Sequence, residues 1–272
     1  MIVLVAGATG VLGRALVPRL VADGHRVRAV AHDTSTAALP AGVELIEADL
    51  VEDDLLELVR GCDAVVHVAT AIPEGVRKLL DAALSCRVPR YVQQSVVTVY
   101  RDGGDAWLSE QAQLDDSPQR AAICGPAIEL ETMIRSVEPR VLAWTILRGG
   151  SFVGAGSDER ALIDGLRAGD IVIPDRGSNF LSPVDVVDMA SAIAASLERA
   201  PAGSTFNIVD EPLRYGDYVD ALADLLGLAR PRRAPDLPRP PSWRCTNHAA
   251  RAVLGWVPRG RIWPYGRMDP PV

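Results

Sequence analysis

The sequence is nearly empty of lysine: Lys78 is its only one in 272 residues, and Lys and Arg together number 28 against 35 acidic residues. No lysine- or arginine-rich block appears. A formal charge of -7 and a pI near 5.2 leave no basic face of the kind that nucleic acid or an anionic membrane selects, so neither is expected as a partner. Long apolar runs are also missing, and none approaches the roughly 18 residues of a membrane span. Met1 leads straight into an apolar segment without the basic start of a secretory signal, which predicts a soluble, cytoplasmic protein. Cysteine is scarce: Cys62, Cys86, Cys124 and Cys245 lie far apart without CxxC spacing, the pattern of free thiols. His25, His32, His67 and His248 are equally scattered, so no metal is expected. What remains is 48% hydrophobic, ample for a buried core.

The apolar residues fall into an alternation of short runs and helical patterns, the signature of a doubly wound parallel α/β sheet. Strands are predicted over Ile2 to Ala6, Arg26 to Ala31, Val43 to Ala48, Asp63 to Ala69, Tyr91 to Ser95 and Trp144 to Leu147. Helices are predicted over Leu12 to Ala22, Glu52 to Arg60, Gly75 to Ser85 and Ile123 to Val137. After Arg148 the rhythm breaks at Gly149-Gly150 and Gly154-Ala155-Gly156. The chain therefore divides into a regularly alternating α/β region, 1–150, and a mixed region, 151–272, part completing the sheet and part forming a small C-terminal lid. In the second region the patterns predict helices over Ala161 to Arg167, Val184 to Leu197, Tyr215 to Leu226 and Asn247 to Leu254. Strands are predicted at Ile171 to Ile173 and Thr205 to Val209, and the proline-dense stretch Pro231 to Pro241 reads as a stiff connector.

The segment Gly7-Ala8-Thr9-Gly10-Val11-Leu12-Gly13 lies between the first strand and the first helix. A glycine-rich turn there lets backbone N–H groups approach a pyrophosphate, and the helix N-terminus adds partial positive charge. Gly7 permits the sharp exit from the strand, Gly10 close phosphate approach, and Gly13 tight helix–sheet packing.

With its GxxGxxG spacing the chain resembles the short-chain dehydrogenase/reductases, specifically the extended, NAD-dependent epimerase/dehydratase type. Further matches follow in order: Gly24-His25-Arg26-Val27, Ala48-Asp49-Leu50, His67-Val68-Ala69, Ser95 to Tyr100, Thr145 to Arg148, Ser182 to Asp188, and Leu254-Gly255-Trp256-Val257-Pro258. The resemblance implies a Rossmann sheet, a nicotinamide dinucleotide, and a small-molecule substrate under a C-terminal lid. It implies cofactor contacts at Gly7, Thr9, Gly10, Val11, Leu12 and Gly13, at Asp49 and Leu50 on the adenine side, and at Ala69 beside the ribose. Members that prefer NAD end the second strand with an acidic residue. Here Ala31 holds that place and His32 follows, with Arg28 three residues before the strand end; NADP is the expected cofactor and NAD the alternative. A homodimer through the helices Gly75 to Ser85 and Ile123 to Val137 is the arrangement the resemblance suggests.

The resemblance also implies a catalytic tyrosine with a lysine four residues later, and here the sequence departs. Glu74 stands four residues before Lys78. Counting back from Glu131 puts Ile123 and Ala127 at the two places, and a one-residue slip puts Cys124 and Ile128 there. Val96 holds the usual Ser/Thr place on the fifth strand, with Ser95 facing the other way. Thr98 and Tyr100 are the candidates to donate to a bound oxygen in their stead, beside Asp102, Asp105, Glu110 and Trp107 in the following loop. Three readings remain open: a reductase or dehydrogenase for a small or medium apolar metabolite that needs little acid assistance, a non-redox cyclase, isomerase or dehydratase, and an NmrA-like dinucleotide-sensing regulator.

Overall fold

Seven parallel strands form the centre of the computed structural model, which describes residues 1–35, 38–154, 156–157 and 159–259. Ala155 of the glycine crossing and 260–272 of the second region lie outside the described residues. The strands are Ile2–Ala6 (β1), Arg26–Ala31 (β2), Glu44–Glu47 (β3), Ala64–His67 (β4), Arg90–Val96 (β5), Ala143–Gly149 (β6) and Ser204–Ile208 (β7). Their spatial order is β7-β6-β5-β4-β1-β2-β3, and every adjacent pair is parallel. The order reverses between β4 and β1, and in such sheets a crevice opens there, outside the carboxyl ends of the strands.

Side-chain alternation along each strand builds two cores. On one face Val3, Val5, Val27, Ala29, Val66, Val92, Leu147 and Phe206 pack against helices Val11–Ala22 (α1) and Val186–Arg199 (α6). The π-helical turn Ala250–Leu254, with Trp256 after it, closes the same layer. On the other face Leu4, Ala6, Val30, Val65, Tyr91, Trp144 and Ile146 meet Leu56–Val59 (α2), Pro73–Ser85 (α3) and Ala121–Arg135 (α4). Sequential strands with helices on both faces explain why β1 and β4 are apolar at nearly every position. A third, smaller core joins Ile163 and Leu166 of Glu159–Ala168 (α5) to Ile173 and to Tyr218, Val219 and Leu222 of Tyr215–Leu225 (α7). No helix among the described residues is long and apolar enough to cross a membrane.

Two expectations are corrected. The predicted helix Glu52 to Arg60 shrinks to four residues, because the carboxylates before it bind backbone locally. Asp49 accepts from the N–H groups of Val51 and Glu52, Asp53 from Asp49, and Asp54 from Leu56, a competing use of the same donors that a helix needs. The connector Pro231 to Pro241 contains a short strand, Arg232–Ala234, paired in parallel with Val172–Pro174. Prolines at 231 and 235 flank it, so no ladder donor is lost inside it.

Candidate functional site

Gly7 leaves β1 at φ +92, a backbone angle that favours glycine, and a Cβ there would lie 2.6 Å from the nitrogen of Ala69 on the neighbouring strand exit. Gly13 is just as constrained: a Cβ would lie 2.2 Å from the carbonyl oxygen of Gly7. Helix α1 is thereby pressed against the turn. Gly10 is its N-cap and no side chain caps it, so the first N–H groups of α1 have no partner from a capping side chain. A Cβ on Gly10 would meet only Gly7 O, at 3.3 Å; the space it would enter is the cradle itself. Thr9 is held by Arg14, whose Nε donates to its carbonyl at 2.7 Å.

A cavity of about 330 Å³ runs from this loop across the ends of β1, β2 and β4. Gly7, His32, Asp49, Leu50 and Ala69 line it, and so do Val30, Val51, Thr70 and Ile72, which sequence reasoning missed. Asp49 is fixed by the backbone bonds described above, chiefly that from Val51, which hold its carboxyl below the ordinary range. His32 Nδ1 lies 3.3 Å from Asp49. Arg28 turns away from this cavity: its guanidinium donates to Glu44 and to the carbonyls of Leu58 and Arg60.

His67 closes the inner wall and is 1% exposed. Gln93 Nε2 lies 3.0 Å from its Nδ1, while its Nε2 has no partner. Burial lowers its pKa from 6.5 to about 4, so the ring is neutral. With Nδ1 accepting from the Gln93 amide, Nε2 carries the hydrogen and is a buried donor without an acceptor. The uncapped helix start, the cradle at Gly10 and this donor all fit a pyrophosphate-linked dinucleotide.

A second cavity, about 510 Å³, opens beyond the carboxyl ends of β5 and β6. Gln94, Val96, Val97, Thr98, Gly149, Phe152, Leu181, Tyr215 and Trp243 are among its walls. Thr98 sits on a 3₁₀ turn, Val97–Val99, and its carbonyl accepts from Arg120 at 3.1 Å. Ser95 points the other way, donating to Glu131 at 2.8 Å. Tyr100 is absent from these walls. The same turn rotates it into the protein, where it is 0% exposed, donates to Asn207 Oδ1 at 2.7 Å and accepts from Arg148 at 2.7 Å. Burial outweighs the opposing Arg148 charge and pushes its phenol well above the ordinary value. Tyr100 is thus committed to a buried network, which corrects its expected place beside a substrate.

Arg148 and Glu131 anchor that network. Arg148 Nε reaches Glu131 Oε1 at 2.8 Å and Nη2 reaches Oε2 at 2.5 Å, with exposures of 2% and 1%. Burial alone would raise the Glu131 pKa, but Arg148 and Ser95 outweigh it and hold the carboxyl below its ordinary range. On α4, Ile123 is exposed and Ala127 buried. Cys124 is buried too, its Sγ turned to the carbonyls of Asp115 and Arg120.

The NAD(P)H-binding family model matches residues 7–200. The chain belongs to that family. A 3-diazoavenalumate denitrifying reductase from Streptomyces sp is 31% identical, with 98% of this chain and 99% of that one covered. A 4-hydroxy-2-methyl-3-oxo-4-farnesyl-3,4-dihydroquinoline-1-oxide ketoreductase from Stigmatella aurantiaca is 26% identical over 82% and 73% of the two chains. Among solved structures, MoeE5 in complex with UDP-glucuronic acid and NAD superimposes with a TM-score of 0.77 at 25% identity, covering 96% and 94%. A short-chain dehydrogenase/reductase superfamily protein from Agrobacterium tumefaciens with bound NAD shares the fold at a TM-score of 0.75 and 23% identity, covering 96% and 93%. The family member described here therefore has the NAD(P)-binding reductase/epimerase fold, and the relatives named reductases support an oxidoreductase role.

Proposed function

We propose that this protein is an NAD(P)H-dependent reductase for a small or medium, largely apolar aromatic metabolite whose reduction needs no proton from a tuned tyrosine. One observation carries the reading: among the described residues, no lysine or arginine lines the 510 Å³ cavity. A phenol titrates near 10 and serves as an acid at neutral pH only when a neighbouring cation lowers it. Here Tyr215 is pushed up by burial, and the Tyr218 hydroxyl donates to Glu159. Neither is set up like the tyrosine of a Tyr-x-x-x-Lys pair.

In this reading the main-chain amides of Val11, Leu12 and Gly13 hold the pyrophosphate, Asp49 and Leu50 flank the adenine, Ala69 approaches a ribose, and His67 Nε2 donates to the bound dinucleotide. His32, at the end of a second strand without an acidic residue, supports NADP(H) over NAD(H). Thr98 orients the acceptor, and Tyr100 buttresses the floor. The denitrifying relative suggests an arene bearing a diazo or diazonium group. The dinucleotide held by these residues would supply hydride, with which the arene would gain C–H as its C–N bond breaks and the electron pair leaves with N₂, with no proton needed.

The test is anaerobic oxidation of NADPH and NADH, followed at the nicotinamide absorbance, with an arenediazonium salt, a quinone and a simple aryl ketone. We expect oxidation by the first two and slower turnover of the ketone by about 10²–10⁴-fold, the usual worth of general acid catalysis. Tight dinucleotide binding without oxidation by any acceptor would refute it.

A further inference from the structure

A buried amide stands opposite His67. The parallel register of β4 and β5 sets Gln93 beside it, and both residues are 1% exposed. Gln93 uses both of its amide hydrogens: Nε2 donates to the Gln94 carbonyl at 2.8 Å and lies 3.0 Å from His67 Nδ1. Its Oε1 accepts from the Tyr91 hydroxyl at 3.4 Å. Tyr91 precedes it by two residues and so shares its face of the strand. Burial pushes that phenol above its ordinary value, and the hydroxyl keeps its hydrogen.

The direction of this chain of bonds is dictated from one end. A main-chain carbonyl can only accept, and turning the Gln93 amide over would set its oxygen 2.8 Å from that of Gln94 with no hydrogen between them. The amide nitrogen therefore faces His67. An amide nitrogen accepts no hydrogen bond, so Nδ1 is the bare nitrogen of the ring and Nε2 carries the hydrogen. A neutral imidazole free of such a neighbour has two forms to choose between; here the backbone of β5 makes the choice, through Gln93. His67 is among the walls of the 330 Å³ cavity, and among the described residues its Nε2 has no partner. A buried donor of that kind calls for an acceptor.

We propose that Gln93 is a positioning residue for the dinucleotide: it locks His67 in the tautomer with hydrogen on Nε2, so that this wall of the cavity offers a donor and demands an acceptor atom of the bound dinucleotide. The inference rests on the dinucleotide reading of the cavity and deepens it, whatever molecule receives the hydride.

Nitrogen NMR of imidazole-labelled protein tests this directly, because protonated and bare ring nitrogens resonate far apart. In the ligand-free wild type we expect His67 to carry its hydrogen on Nε2 alone, and NADP⁺ or NAD⁺ to shift that Nε2–H signal. Gln93→Met keeps the length of the side chain without its donor. Both ring nitrogens should then give averaged signals, and calorimetric affinity for the dinucleotide should fall about three- to tenfold, the scale of one neutral hydrogen bond. The same replacement in a His67→Leu protein should leave the affinity where His67→Leu alone puts it. Equal weakening in both backgrounds would mean that Gln93 merely braces the Gln94 carbonyl, and overturns the proposal. So does hydrogen on Nδ1 in the ligand-free protein, or a His67 signal that no dinucleotide moves; these two readouts need only the wild type, so they stand even where a variant fails to fold. Bound dinucleotide with a locked His67, but no oxidation of NAD(P)H by any acceptor, would keep the lock and lose the reductase reading. NADPH oxidation with an unmoved His67 would do the reverse.

Discussion

Replacing Arg148 with Met removes one member of a pair that solvent does not reach. Glu131 would keep Ser95 at 2.8 Å and the half-exposed Arg135 at 3.3 Å, so its charge is partly compensated. A cost near the lower end of the usual range for breaking a buried pair, about 3 kcal/mol, follows. Glu131→Gln leaves a buried guanidinium with neutral acceptors only, the remaining amide oxygen, the Tyr100 hydroxyl and the Glu110 carbonyl, and should cost more, about 4 kcal/mol. The double replacement Glu131→Leu with Arg148→Met removes both charges together and should cost only about 1 kcal/mol, because buried pairs rarely outperform packed apolar groups. Urea unfolding at neutral pH measures all three, and for a chain of this size about 3 kcal/mol corresponds to a melting shift of roughly 6–12 °C. The pH sign is fixed by the lowered Glu131 pKa. Its contribution is fully present above the ordinary carboxylate range and is lost as pH falls through the folded value. Single-variant costs below about 1 kcal/mol, or a double variant as unstable as the sum of the singles, would refute the coupling.

Two further outcomes follow from the dinucleotide cavity. His67 is buried neutral, with a pKa lowered from 6.5 to about 4. The unfolded chain takes up its proton first, so stability should fall by about 3 kcal/mol as pH drops from 6.5 to 4, and His67→Asn should flatten that part of the urea-unfolding profile. Gly10→Ala should leave the fold intact, because its Cβ meets only one atom at 3.3 Å, yet weaken NAD(P)H binding by calorimetry at least tenfold. Gly13→Ala, with a contact of 2.2 Å, should instead lower the melting temperature even without cofactor.

The parts of this fold that could be read from sequence are those decided by local pattern. The apolar runs of β1, β2, β4 and β5 and the glycine loop declare themselves because both sheet faces are covered and the turn geometry demands glycine. The acidic stretch from Glu52 looked like a helix start because carboxylates favour one. Once Asp49, Asp53 and Asp54 had taken the backbone donors, only Leu56–Val59 remained helical. The walls of the larger cavity were mostly invisible. Phe152, Glu159, Asn179, Tyr218 and Trp243 come from five separate segments after Gly150, and only tertiary packing brings them together. The one available hint was the i, i+3 pair Tyr215 and Tyr218 at the start of α7. Tyr100 misled for a related reason. Strand alternation ends at Val96, and the 3₁₀ turn after it sets the side chain's direction anew.

The last sheet strand, Ser204–Ile208, pairs with β6, and α6 packs on α1 directly behind the glycine loop. During synthesis, then, the first 150 residues emerge with the back of α1 and one edge of the sheet still bare. The nucleotide cradle matures only when a stretch made some 50 residues later returns to cover it. Truncation at the apparent midpoint would leave an aggregation-prone half rather than a minimal binding unit.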